Sequence, residues 1–319
     1  MIAIEPYSHS RKDDWNALQK DACNSTLLHN RNYMDYHEDR YKDASLMFFN
    51  NKNKLVALFP ACLSRKASDT VVSHEGLTYG GLIVPQRIHA LTIEEIYEAL
   101  VTFYKNEMHM SRLVVKPIPY FYSTQPCQEE LYVITRQKGI LTERHLSQAI
   151  DLGQPFKTSQ LRQRCIAKAQ RAGVETKEAV DKEEWISFHT ILTDVLKNRH
   201  NTAPVHTLEE LWLLHSRFPR EVKLYIAVRN SRVLAGCVVY VSKNVIHTQY
   251  LASSPEGFET GALDIVLRDV SLQAKNDGAR YLDFGVSTER NGELNHGLVQ
   301  QKEGFGGRGV CYDTYLINL

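Results

Sequence analysis

Two stretches of this chain align with each other without a gap: SLMFFNNKNKLVALFPACLS (45–64) and KLYIAVRNSRVLAGCVVYVS (223–242). Each reads as a β-rich run, a polar turn (Asn51-Lys52-Asn53, or Arg229-Asn230-Ser231) and a second β-rich run, which is the pattern of a hairpin. The first hairpin is followed by a Gly-containing strand region (74–84), a helical stretch (92–108) and a strand (112–118). The second is followed by a strand (245–254), a helical stretch (262–276) and the strand 281–286. The order hairpin, strand, helix, strand therefore occurs twice, and duplication is a strong constraint on what a chain can fold into. Helical material also opens each half, at 10–22 and 30–41 and then at 158–172, 181–198 and 207–217. The expected class is α/β (α+β), with two tandem units, each a mixed, largely antiparallel sheet flanked by helices. Gly153 and Pro155 punctuate the pattern near its middle, which divides the chain into 1–152 and 153–319.

Lys+Arg 38 against Asp+Glu 37 leaves no net field to attract nucleic acid or a membrane, so an anionic ligand needs a local patch. The six cysteines are far apart and show no CxxC spacing, which fits a reducing compartment. The first residues lack the basic-then-apolar order of a secretory signal, and no window approaches 18 consecutive apolar residues. A cytoplasmic protein without a membrane span is expected. P-loop, dinucleotide and GxSxG patterns are absent, and no histidine spacing suits a metal.

The chemistry-bearing residues cluster late in the chain. Asp283 ends an apolar strand, where an acid needs a partner. Beyond it come Glu289 and Asn295 in a polar loop, both ligand-contact candidates, then Lys302 beside the glycines 304, 306, 307 and 309. A cation beside such a backbone suits an oxyanion or a phosphate. Arg199, His200 and Asn201 form a polar cluster between two helices, close to His206, and read as a substrate-binding element. The stretch 157–171 carries Lys157, Arg162, Arg164, Lys168 and Arg171 without an acid, either a solvated face or a phosphate contact.

The order of elements resembles the GNAT (Gcn5-related N-acetyltransferase) fold, and its duplication resembles the Fem-type aminoacyltransferases and their acetyltransferase relatives. The basic helix 161–179, the stretch NRHNTAPVHTLEELWLL (198–214) and the ending DFGVSTERNGELNHGLVQQKEGFGGR (283–308) carry the likeness. The resemblance implies that Lys302 stabilises a tetrahedral intermediate and that Asp283 or Tyr250 assists proton transfer. It places His247 and Tyr250 on the strand flanking the acyl channel, with Tyr79 in the comparable place of a degenerate first unit. It also implies a donor-binding turn carrying Gly257, Thr260, Gly261 and Ala262, although Phe258 and Leu263 stand where the family's pyrophosphate motif has Gln or Arg and a small residue. The implied activity is N-acyl transfer from an acyl-CoA, such as acetyl-CoA, to an amine on a small molecule, sugar or peptide. Aminoacyl-tRNA acting on a cell-wall precursor is the alternative donor reading, and a non-catalytic binding module with the same fold is the alternative to an enzyme.

Overall fold

A computed structural model describes residues 2–289 and 291–319, with the side chains of Arg199 and His200 outside the described set. The chain forms two compact units, Met1–His145 with Cys311–Leu319, and Leu146–Val310.

In the first unit, β1 (Ala3–Pro6), β2 (Leu46–Phe49) and β3 (Leu55–Phe59) form a three-stranded antiparallel sheet. A second sheet holds β4 (Cys62–Leu63), β5 (Thr70–Val72), β6 (Arg112–Val115), the C-terminal strand (Arg308–Asn318) and the start of β7 (Ile140–Asp151). Helices α1 (Lys12–Asp21), α2 (Arg31–Met34), α3 (Ala90–Asn106) and α4 (Glu129–Arg136) complete the unit. Ile93, Ile96, Tyr97, Leu100 and Tyr104 recur at helical spacing, and this face of α3 joins the core with Phe48, Phe59 and Leu113.

The second unit contains α5 (Gln160–Arg171), β8 (Glu175–Glu178), α6 (Lys182–His200), α7 (Leu208–Arg217), β9 (Val222–Arg229), β10 (Arg232–Val241) and β11 (Val245–Ser253). It continues with α8 (Pro255–Thr260), α9 (Ala262–Asn276), β12 (Tyr281–Val286), α10 (His296–Gly304) and the start of β13, the C-terminal strand already named. The strand order is β7–β12–β11–β10–β9–β8. Only β11 and β12 pair in parallel among the registered pairs here. Asn230 and Ser231 both take positive φ, 51° and 60°, the turn geometry of a two-residue hairpin between β9 and β10.

Both repeated hairpins form, and in both units the helix after the hairpin lies between two strands that pair in parallel. The expected strand at 74–84 does not form: this segment is irregular and touches the ladder only through the isolated bridge of Ile83 with Leu58. Gly81, at φ 77°, lets the amide of Leu82 reach the Glu130 carboxylate at 2.7 Å, so the glycines there serve a turn. The units also divide at 145/146 rather than at 152/153. The reason is strand pairing. The C-terminal strand lies against β6, Tyr315 opposite Val115, which returns residues 311–319 to the first unit. Among the described residues no helix is long and apolar enough to cross a membrane.

Gly261 and Gly278 test how tightly the second unit is packed. Both have left-handed φ, 80° and 82°, but a Cβ on Gly261 would lie 2.5 Å from the Cys165 carbonyl oxygen, whereas Gly278 has open space. Gly278→Ala should cost about 1–2 kcal/mol from backbone strain alone, and Gly261→Ala clearly more. Denaturant midpoints at constant m-value measure both, and equal costs would show that α5 does not press on the α8–α9 turn.

Candidate active site

The site grows from the one parallel ladder of the second unit among the described residues. Val245, Ile246 and His247 of β11 pair with Tyr281, Leu282 and Asp283 of β12, and the ladder ends at that third pair. Beyond it β11 runs on to Ser253, while β12 turns at Gly285 (φ 73°) and rejoins β7 only at Val286. His247 and Asp283 thus stand where two parallel strands part at their carboxyl ends, a position that open α/β sheets use for ligands.

Leu282 and Ile246 face the apolar core against α9, so their neighbours Asp283 and His247 face the other side. Asp283 is fully buried. Its Oδ1 accepts from Ser147 Oγ at 2.7 Å and from the Gly285 amide at 3.1 Å. Its Oδ2 lies 2.8 Å from His247 Nδ1. An ionised Asp283 makes Nδ1 the protonated nitrogen and leaves Nε2 with its lone pair, the tautomer a general base requires. The imidazole retains 16% exposure and lies beside Gly285, where a Cβ would come within 3.2 Å of Cε1. Glycine there keeps room next to the ring.

Tyr250 joins the same face through a β-bulge. Opposite β10 the register steps from Val239–Thr248 to Val238–Tyr250, which leaves Gln249 unpaired in the ladder and brings residues 247 and 250 to one side. The Tyr250 hydroxyl lies 2.7 Å from His206 Nδ1 and 3.3 Å from the His206 amide, and burial raises its pKa. His206 is buried, and its carbonyl lies 3.3 Å from His189 Nε2 on α6.

Lys302 is inside the protein. Its Nζ donates to the carbonyls of Gly285 (2.7 Å) and Val286 (2.9 Å) and to Ser287 Oγ (2.8 Å). Ser287 Oγ in turn donates to Gln148 Oε1 at 2.6 Å. The three donors of the ammonium are thereby matched by three internal acceptors, and the lysine pins the turn that ends β12. The Gln148 amide nitrogen is buried without a partner among the described residues.

The expected donor turn is tightly packed. A Cβ on Gly257 would lie 2.3 Å from the Leu234 carbonyl oxygen, and Gly261 abuts the α5 backbone. Ala262 is buried, and the Thr260 hydroxyl bonds back to the carbonyls of Glu256 and Gly257. The first turn of α9 also carries Asp264, paired with Arg162 of α5 at 2.8 Å. A carboxylate there occupies the electrostatic role of an anion at the helix start.

The remaining expected residues are shaped by local structure. Asn295 caps α10 through Oδ1 and donates from Nδ2 to Glu289 at 2.7 Å, so these two are brought together. Asn201 is the left-handed C-cap of α6. The side chains of Arg199 and His200 lie outside the described residues. Tyr79 belongs to the first unit, buried against the rings of Tyr122, His29 and Tyr312. At the matching third pair of the first unit's parallel ladder stand Val72 and Val114, so that unit has no counterpart of the His–Asp pair.

Residues 158–291 match the acetyltransferase (GNAT) domain family. The matched stretch lies within the second unit and spans less than half of the chain. No curated protein matches the chain by sequence. By structure the chain is similar to FemX, with 10% identity and a TM-score of 0.71 over 99% of this chain and 97% of that one. It is also similar to the C-terminal domain of a putative lysylphosphatidylglycerol synthetase from Agrobacterium fabrum (11% identity, TM-score 0.61, covering 98% and 92%). A tandem GNAT protein from the clavulanic acid biosynthesis pathway matches with 10% identity and a TM-score of 0.55, covering 100% and 98%. At these identities the likeness is one of fold, shared with FemX and with a tandem GNAT protein. The His247–Asp283 pair was visible in sequence only as two separate candidates. Their pairing depends on the parallel register.

Burial lowers the Lys302 pKa from 10.5 to about 8, against the opposing pull of the Asp283 charge. Between those values the unfolded chain binds more protons than the folded one, so this group makes folding stability rise with pH from about 8 to about 10.5. Unfolding free energies at the two ends of the window should show wild type gaining relative to Lys302→Met. Parallel profiles would mean that the amine is not buried as a cation.

Proposed function

We propose that the second unit is a GNAT domain that transfers an acyl group from an activated donor to an amine, with His247 as the general base. The His247–Asp283 pair, at the point where β11 and β12 part, carries this reading. Nε2 of His247 takes a proton from the attacking amine as the new N–C bond forms, and Asp283 stabilises the resulting imidazolium while fixing the ring. Tyr250, linked to His206 at 2.7 Å on the same face, would return a proton to the departing thiolate or ribose oxygen. Lys302 holds the Gly285–Ser287 turn and contributes positive charge near the site from behind it.

The carrier of the acyl group separates two readings. Acyl-CoA is the donor associated with acetyltransferase (GNAT) domains, and its pyrophosphate would seek amides at the α8–α9 turn. That turn is pressed against α5 and carries Asp264, so the residues there fit the pyrophosphate poorly. The second reading, an aminoacyl-tRNA donor, is favoured by α5 itself. Arg164, Lys168 and Arg171 are exposed at i, i+4 and i+7 on a helix without acids, a stripe suited to successive phosphates.

His247→Ala and Asp283→Asn should each lower acyl transfer to an amine mixture by about 100-fold or more, measured on protein that circular dichroism shows to be folded, and both should melt below wild type because they break a buried network. Full turnover in a folded His247→Ala protein would remove the base from the mechanism. To separate the donors, binding of acetyl-CoA and of charged tRNA should be measured against salt. If RNA is the carrier, replacing Arg164, Lys168 and Arg171 with Ala should flatten the log–log salt slope by about 2–3. An unchanged slope, with tight acetyl-CoA binding, would select the thioester.

A further inference from the structure

Three histidines are buried together in the first unit: His29 with no exposed surface, and His37 and His74 with 3% each. The backbone amide of Thr26 donates to His29 Nδ1 at 3.1 Å, which requires a lone pair on that nitrogen. A proton there would set N–H against N–H and loosen the turn Leu27–His29. That turn leads into α2 and is tied to α1 by the Trp15 indole, whose Nε1 donates to the His29 carbonyl at 2.8 Å. Further along the same segment His37 stacks on His74, with ring centroids 5.4 Å apart and planes at 16°. His74 follows β5 with a left-handed φ of 66°, and its Nδ1 is buried without a hydrogen-bond partner among the described residues. Residues 26–41 are thus held to the unit at one end through His29 and at the other through His37.

The charges that act on His74 are those of His37, Lys116, Arg31 and His29, all basic. Lys116 follows β6 and donates to the Leu77 carbonyl; burial lowers its pKa to about 8, so it is a cation in acid solution. Arg31 pairs with Asp43 and stacks on the rings of Tyr7 and Trp15. Nearby acids have other partners: Asp35 holds Lys12, Glu38 lies by His9, and Glu75 holds Ser64 and Arg65. The Glu75 amide in turn bonds Cys62 of β4. The rings of Tyr33, Tyr36 and Tyr41 surround His37, Tyr41 also meets His74, and Tyr79 faces His29. A second charge on this stack would be buried beside cations, which is costly.

We propose that His29 and the His37–His74 stack form an acid-sensitive latch, whose protonation releases residues 26–41 from the first unit. Burial lowers the His29 pKa from 6.5 to about 4 and holds that of His74 well below its ordinary value. The open segment therefore binds more protons than the closed one below 6.5, so the latch is intact above that pH and is lost as pH falls toward about 4. For His29 alone the opening equilibrium should grow about 30-fold between about pH 7.5 and about pH 5.

The test is hydrogen exchange of the full chain, read by mass spectrometry at about pH 7.5 and about pH 5 and corrected for the intrinsic rate at each. The amides of Asn30, Tyr33 and Met34, each bonded within the segment, should lose protection by about tenfold or more, while β9–β11 keep theirs. His29→Asn keeps an acceptor for the Thr26 amide, and His74→Asn suits the left-handed backbone, yet neither new side chain takes a proton. In the double variant the loss should shrink to about threefold or less. If that variant does not fold, each single variant should still cut the loss by about threefold or more. Unchanged protection of the wild-type segment at the lower pH would overturn the proposal. So would a loss shared equally by β9–β11, or the same loss in folded variants as in wild type.

Discussion

A carboxylate with no exposed surface must be matched from within, and Asp283 organises the second unit around that requirement. Its partners come from three places in the chain: Ser147 on β7, the Gly285 amide in the turn ending β12, and His247 on β11. Meeting them fixes β12 between its neighbours and sets the point at which β11 and β12 stop pairing. A one-residue slip of the ladder would turn Asp283 into the α9 core and remove the acid from its histidine. The site geometry and the fold of this unit thus share one constraint.

Lys302 belongs to the same buried network but plays a different part in it. The sequence shows a lone cation before a glycine cluster, which invites a role at a developing oxyanion. In the structure its ammonium meets two carbonyls and a hydroxyl at the end of β12, so its positive charge supports the turn that holds Gly285 and Ser287. The glycines around it likewise answer to packing: a Cβ on Gly307 would lie 2.9 Å from the Lys302 carbonyl oxygen. The turn at Gly257–Ala262 follows the same logic, since close approach to β10 and α5 requires the missing side chains. Glycine patterns do not say whether the nearby backbone is a ligand or another strand or helix.

Comparison of the two parallel ladders shows what duplication retained and what it lost. Both units place a helix between the paired strands, and in both the ladder is three pairs long. Val72 and Val114 close the first, where His247 and Asp283 close the second. The first unit has the same architecture with an apolar vertex, and the buried His–Asp pair lies in the second.

Much of the fold was legible in the sequence because it is local. The two hairpins, the amphipathic faces of α3 and α9 and the apolar strand before Asp283 each follow from residue periodicity and turn chemistry within a short window. Asp283 was also readable as an acid out of place on an apolar strand and Lys302 as a cation beside glycines, while His247 and Tyr250 were candidates through the family resemblance. What each one touches was not. The His247–Asp283 pair needs parallel register between segments separated by a helix, and the alignment of Tyr250 with His247 needs a bulge at Gln249. The return of residues 311–319 to the first unit needs a strand partner 200 or more residues away in the chain. Local sequence determined the elements and the inventory of chemical groups. Tertiary structure decided which groups meet, because hydrogen-bond register and burial are set by partners that no local window contains.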